Sequence, residues 1–230
     1  FNMFDAQAWY ARDVIMGRHS TVWKALQGHP LLAQRSHIVI GHRELASFVI
    51  EPGDRVWVLS YSRKPAQNSA LLAQLRATPA CEVVYVSSSS TIVCGMTNCY
   101  DYPRVKHLAE LEVQALPNGR VLTLGQVYEQ ANRLPGGLSM ATSIDQLAAF
   151  IARPECPGRE GRGTNLFNVI NRPFGSAWEA GAYRVYGWMQ KHAGRWPCLL
   201  RPVDIVLRAL GWRWYGYVFL SNRLWAATIS

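Results

Sequence analysis

Residues 81–110 read CEVVYVSSSSTIVCGMTNCYDYPRVKHLAE, and the order of features in this stretch decides the fold. Val83-Val84-Tyr85-Val86 is a short run of β-branched and aromatic residues, apolar at every position, as a strand buried on both faces requires. Ser87-Ser88-Ser89-Ser90-Thr91 ends it with hydroxyls, and a helical period opens at Tyr102. A continuous apolar strand that feeds a helix and then another strand, Arg120–Leu124, is the pattern of a parallel sheet with crossover helices.

The same alternation extends in both directions. Strands are expected at Asp13–Met16, His37–Ile40, Arg55–Leu59, Glu82–Ser87, Arg120–Leu124 and Leu166–Ile170. Helices are expected at Thr21–Gln27, Gln67–Ala77, Tyr102–Leu116 and Ile144–Ala152. Right-handed crossovers then place helices on both faces of a doubly wound, mostly parallel α/β sheet. Residues 153–163, RPECPGREGRG, read as a surface loop, being rich in Gly, Pro and charge. Beyond it the composition shifts, for the span from Trp178 to Trp225 holds six of the nine tryptophans among repeated arginines. The expected division is a sheet domain over 1–171 and a small C-terminal cap over 172–230.

Tyr102 and Lys106 lie four apart and so share a helix face. An ammonium beside a phenol favours the phenolate and lowers its pKa from about 10. A hydroxyl at the preceding strand end can hold a substrate oxygen as its charge changes. Taken together, VVYVSSSS, YPRVK with Glu110 four residues after the lysine, GRVLTLGQVYE, and SMATSIDQLAAFI with Asp145 heading a helix resemble the extended short-chain dehydrogenases/reductases that act on nucleotide sugars. The resemblance runs from about Asp13 to Asn171. It implies a Rossmann-type sheet, NAD(P), and a nucleotide-linked sugar substrate. On the family's pattern Ser89 falls on the catalytic serine, with Ser88 or Ser90 the alternatives one register away. Tyr102 falls on the acid/base, and Lys106 on the lysine that holds the nicotinamide ribose.

The nucleotide-binding end departs from that pattern. Val14-Ile15-Met16 leads into Gly17-Arg18-His19-Ser20-Thr21-Val22-Trp23, where the family has three glycines and this chain keeps only Gly17. Ser20 can serve a pyrophosphate with its hydroxyl and amide at a helix start, whereas Trp23 stands where a third glycine permits close helix–strand packing. Gly17, Arg18, His19, Ser20 and Thr21 are thus the candidate cofactor turn. His42 and Arg43 follow the second strand where an acidic residue holds the ribose of NAD. Arg43 with Arg18 suits the extra phosphate of NADP, so NADP is the first expectation and NAD the second. Ser60 and Tyr61, after the strand from Arg55, are candidates beside the nicotinamide. Twelve residues separate Ser89 from Tyr102, fewer than extended enzymes commonly place there. The competing reading is a relative that kept the fold as a dinucleotide sensor or scaffold after its glycine turn decayed.

Of the 230 residues, 17% are charged and about half are hydrophobic, enough for a substantial core. The net charge of +9 suits anionic partners, but the arginines are scattered rather than blocked, so nucleic acid is not expected. Five cysteines without a CxxC pair suggest reduced thiols and no metal centre. Neither a secretory signal nor an uncharged run of about 20 residues is visible, and a cytoplasmic location is expected. In the aromatic sequence WRWYGYVFLSNRLW, residues 212–225, the rings suit stacking on a base or sugar. Arg201, Arg208 and Arg223 are candidates to clamp a diphosphate. Peripheral contact with the inner face of an anionic membrane, and a homodimer, are compatible with this composition.

Overall fold

The computed structural model describes residues 12–59, 62–78, 80, 82–153, 163–193 and 197–229. The chain divides into two compact units, each assembled from three segments. The first takes residues 1–86, 108–123 and 144–164. The second takes 87–107, 124–143 and 165–230, so it reaches back beyond the C-terminal 172–230.

The first unit is built on β1 (Arg12–Met16), β2 (His37–Ile40), β3 (Asp54–Val58), β4 (Glu82–Ser88), β5 (Gly119–Leu124) and, after two strands of the second sheet, β8 (Gly163–Leu166). These six form one sheet in the order β2-β1-β3-β4-β5-β8. β1 pairs parallel with β2 and β3, and β3 parallel with β4. This is the expected sheet. Its crossovers carry α1 (Thr21–Leu26), α2 (Pro30–Ala33), α3 (Pro65–Arg76), α4 (Asp101–Gln114) and α5 (Ile144–Ile151). The chain order reverses between β1 and β3, the switch point at which open α/β sheets form a crevice beyond their C-terminal strand ends. The core follows from the apolar strands: Val14, Val56, Val83 and Val121 pack with Leu71, Leu75 and Val113 of the crossover helices.

Buried charges at the other end of these strands are paired. Asp13 of β1 accepts from Arg55 Nε at 2.7 Å and from the Trp57 indole at 2.9 Å. Arg55 also donates to the Ile151 carbonyl at the end of α5, satisfying an orphan helix carbonyl while fixing the helix on the sheet.

The second unit holds a three-stranded sheet, β6 (Gln126–Tyr128), β7 (Gly137–Ser143) and β9 (Asn168–Arg172), in the order β6-β7-β9. It adds α6 (Ala177–His192), α7 (Arg201–Ala209) and α8 (Gly216–Ile229). The single strand expected over Leu166–Ile170 is in fact two. The chain breaks at Phe167, whose ring meets Trp225 at 5.0 Å, and β9 then runs antiparallel to β7. A hydrophobic period cannot reveal such a change of partner, because both halves read as strand.

One buried carboxylate ties the helices of this unit together. Asp204 of α7 accepts from Tyr100 at 3.2 Å, from Tyr186 of α6, and from the backbone N–H of Gly216 at the start of α8 at 3.0 Å. Gly216 has φ +46°, and a side chain there would bring its Cβ within 2.9 Å of both Asp204 and Tyr100. Only glycine lets the helix start so close to the carboxylate.

The expectation of five reduced thiols is corrected. Cys99 is disulfide-bonded. Absence of a CxxC pair did not bear on this, because disulfide formation depends on the approach of two Cα atoms in the fold and not on spacing in sequence.

Candidate functional site

β4 leaves its sheet at Ser88 and winds at once into a 3-10 turn over Ser89–Gly95. Ser88 caps that turn, its hydroxyl accepting from the Ser90 amide at 3.3 Å and bonding the Ser90 hydroxyl at 3.0 Å. These bonds occupy Ser88 and Ser90 with each other and leave the Ser89 hydroxyl unused by them. The Ser89 carbonyl takes the indole N–H of Trp225 at 2.8 Å, which anchors the turn to α8. The short link from Ser89 to Tyr102 is therefore ordered by a seven-residue turn and two anchors, Tyr100 and Trp225, instead of a long loop.

All three serines line a cavity of about 510 Å³, and so does Tyr102 from the first turn of α4. The Tyr102 ring stacks on Tyr217 of α8, with centroids 5.5 Å apart and planes inclined by 23°. Tyr217 in turn meets the edge of Tyr100 at 5.8 Å. Offset stacking of this kind fixes the plane of a phenol by a contact that does not consume its hydroxyl. Lys106 follows one turn later on α4 and is 7% exposed, and it is not part of the cavity wall.

Arg208, at the end of α7, lines the cavity as the sequence suggested. The other two arginines singled out do not. Arg201 is exposed beside Asp101 at 4.0 Å, and Arg223 lies over the Phe219 ring at 6.0 Å. Arg213, Gln126 and Tyr215 line the cavity and were missed. Arg213 and Tyr215 lie within the aromatic stretch already marked for stacking, where Trp214 points inward at 2% exposure and its odd-numbered neighbours do not. That alternation was the available signal. Trp212 is a further wall, and its indole N–H is buried with no hydrogen-bond partner among the described residues. A buried unsatisfied donor beside a cavity is suited to a ligand oxygen.

In the first unit, Gly17 follows β1 with φ +129°, and its N–H donates to the Ile40 carbonyl at 2.9 Å. The left-handed region at that point favours glycine there. Ser20 caps α1, its hydroxyl accepting from the Trp23 amide at 3.0 Å. Arg18, His19 and Thr21 are exposed around the turn. Trp23 is buried in place of the third glycine, its ring edge meeting His37 of β2 at 5.6 Å. The helix it belongs to has six residues.

Arg18 makes a fork with Glu44, at 2.8 and 2.9 Å, and also donates to the Val39 carbonyl. Glu44 further accepts from the Gly41 amide at 3.1 Å. Glu44 was not read from the sequence, because it lies one residue past the Gly41-His42-Arg43 turn. His42 and Arg43 are exposed in that turn, and Ser60 and Tyr61 lie outside the described residues.

No protein-family model matches the chain, and no curated protein matches it. Solved structures do. The dTDP-4-dehydrorhamnose reductase from Bacillus anthracis, in complex with NADP, is 10% identical with a TM-score of 0.53, over 79% of this chain and 81% of that one. The capsular polysaccharide assembling protein CapF from Staphylococcus aureus is 15% identical with a TM-score of 0.52, over 71% and 55%. Pen from Bacillus thuringiensis is 10% identical with a TM-score of 0.51, over 71% of each chain. At such identities the likeness is one of architecture, and the chain shares the Rossmann-type α/β fold of these structures.

Proposed function

We propose that the chain is an NAD(P)-dependent enzyme that oxidises, reduces, epimerises or dehydrates a nucleotide-linked sugar, with Tyr102 as its acid/base. The observation that carries this reading is that Ser88, Ser89, Ser90 and Tyr102 line one cavity together with Arg208 and Arg213. A phenol beside hydroxyls suits proton exchange with a sugar hydroxyl or ketone, and two guanidinium groups suit a diphosphate. Ser89 holds the reacting oxygen, Tyr102 gives or takes its proton, and Lys106 serves the ribose and the phenol. When bound, the nicotinamide supplies or accepts the hydride.

The residues of the β1–α1 turn fit the diphosphate half of a dinucleotide. Gly17 makes the tight turn, and Ser20 stands at the helix start with Arg18, His19 and Thr21 exposed beside it. Glu44 changes the balance between cofactors. It occupies the Arg18 guanidinium that the phosphate of NADP would need, and it places a carboxylate after β2 where NAD enzymes hold a ribose hydroxyl. Titrating the protein with NADH and NADPH tests both points. Binding of NADH ahead of NADPH is expected, and no binding of either at millimolar concentration overturns the reading. The buried Trp23 in place of glycine favours the second reading, a dinucleotide sensor without turnover; it predicts cofactor binding with no exchange into any nucleotide sugar.

Glu44→Gln releases Arg18 while keeping the shape of the turn. Because the pair is about half exposed, the effect is modest: NADPH affinity relative to NADH is expected to rise by roughly threefold to tenfold. An unchanged ratio removes Glu44 from cofactor choice.

A further inference from the structure

The aromatic stretch 212–225 is largely turned inward: Trp214 and Phe219 are each 2% exposed and Leu220 is 8%. The outward apolar surface of the second unit lies elsewhere. α7 is amphipathic, with Asp204 buried and Ile205, Val206 and Leu210 exposed at 68%, 57% and 77%. Leu199, in the turn before it, is 70% exposed. On α6, Trp178, Val185 and Trp188 recur at helical spacing and are exposed at 74%, 59% and 62%. Both helices feed one hydrophobic cluster, with Tyr183 and Tyr186 from α6 and Val203 and Leu207 from α7, so they belong to one layer around that cluster. Monomeric soluble proteins scatter such residues singly and do not gather them on adjoining helices.

The exposed charge carried by α6 and α7 has one sign. Between Pro173 and Ser230 the only acidic residues are Glu179 and Asp204. Asp204 is buried, and Glu179 is half-buried and accepts from the Gly175 amide. The same span carries Arg184, Lys191, Arg201, Arg208, Arg213 and Arg223. We infer that the α6–α7 layer docks on an anionic lipid surface, with Trp178, Trp188, Ile205, Val206 and Leu210 entering the headgroup region and Arg184 and Lys191 meeting lipid phosphates. Tryptophan suits that depth because its ring is apolar and its N–H polar. Arginine and lysine reach past apolar neighbours to phosphates. A second copy of this chain fits less well, because a two-fold interface between these helices would set their cations against their own copies, and neither α6 nor α7 carries an exposed carboxylate to answer them. Among the described residues no helix is long and apolar enough to cross a membrane, so the attachment is to the surface. Arg208, on the same helix, lines the cavity, so docking brings one rim of the cavity to the lipid.

The inference is independent of the enzymatic reading, and it is tested on the 230-residue protein by co-sedimentation with vesicles. The protein is expected to pellet with mixed phosphatidylcholine and phosphatidylglycerol vesicles at low salt, to be released as salt rises, and to stay in solution with phosphatidylcholine alone. Ile205→Asp combined with Val206→Asp, both at exposed positions, is expected to abolish pelleting while the circular dichroism spectrum is unchanged. Arg184→Gln combined with Lys191→Gln is expected to weaken partitioning by about an order of magnitude, since each cation near an anionic surface contributes several-fold. No pelleting at low salt overturns the inference. So does pelleting that both double variants leave intact, and so does a dimer, seen by light scattering, that the Ile205 and Val206 variant dissolves.

Discussion

Replacing Tyr102 by Phe is expected to lower kcat by about three orders of magnitude while leaving the affinity for dinucleotide within a factor of about two. The reason is the division of labour proposed for the cavity. Phenylalanine keeps the stacking contact with Tyr217, so the ring plane, the start of α4 and the cavity wall are retained. What is lost is the group proposed to exchange a proton with the sugar oxygen, and general acid/base catalysis contributes roughly 10²–10⁴ in rate. The measurement is steady-state turnover with the cofactor that the titration selects, paired with a direct binding curve for that cofactor. Equal activity in the variant removes Tyr102 from the chemistry, and the sensor reading then gains. Loss of cofactor binding alongside activity points instead to collapse of the second unit, which a thermal unfolding curve distinguishes.

Asp204→Ala is expected to destabilise the protein by about 3–5 kcal/mol, a large share of the net stability of a domain. The carboxylate is 7% exposed and accepts from two phenols and one amide. Each buried donor left without a partner costs about 1–3 kcal/mol. Asp204→Asn keeps one acceptor oxygen and is expected to fall between the two. Urea unfolding checks the series, with a lowered midpoint and an unchanged slope as the expected result.

The same cluster sets an alkaline limit. Burial, and then the Asp204 charge, push the Tyr100 phenol above its usual value of about 10. Burial and the hydrogen bond to Asp204 do the same for Tyr186. In both cases the folded state holds its proton more tightly than the unfolded chain does. Their contribution is therefore fully present below about pH 10 and declines as pH rises from there through the folded-state values. A stability profile that is flat from pH 10 upward contradicts this assignment. So does a profile on which Asp204→Ala declines as steeply as the parent.

The sheet could be read from the chain because its strands are buried on both faces. A run such as Val83-Val84-Tyr85-Val86 admits little other than a central strand, and five of the six expected strands fall within one residue of β1 to β5. The link from Ser89 to Tyr102 is local, since a strand end, a turn and a helix start lie within fourteen residues of sequence. Local order is what periodicity and spacing encode.

What only the tertiary structure decided are the pairings between distant residues. No pattern in the sequence announces that Arg18 faces Glu44, that Phe167 ends one strand and begins another, that Cys99 is bridged, or that Asp204 gathers Tyr100, Tyr186 and Gly216. The arginines show the same limit. Arg201, Arg208 and Arg223 are alike as residues, and only the packing of α7 and α8 sends one to the cavity and leaves two at the surface. By itself the sequence determined the parallel sheet and the order of Ser89, Tyr102 and Lys106, because both are properties of neighbouring residues. The cavity around Tyr102, its stacking on Tyr217 and the outward apolar layer of α6 and α7 required the fold, because each depends on which buried groups find partners across the chain.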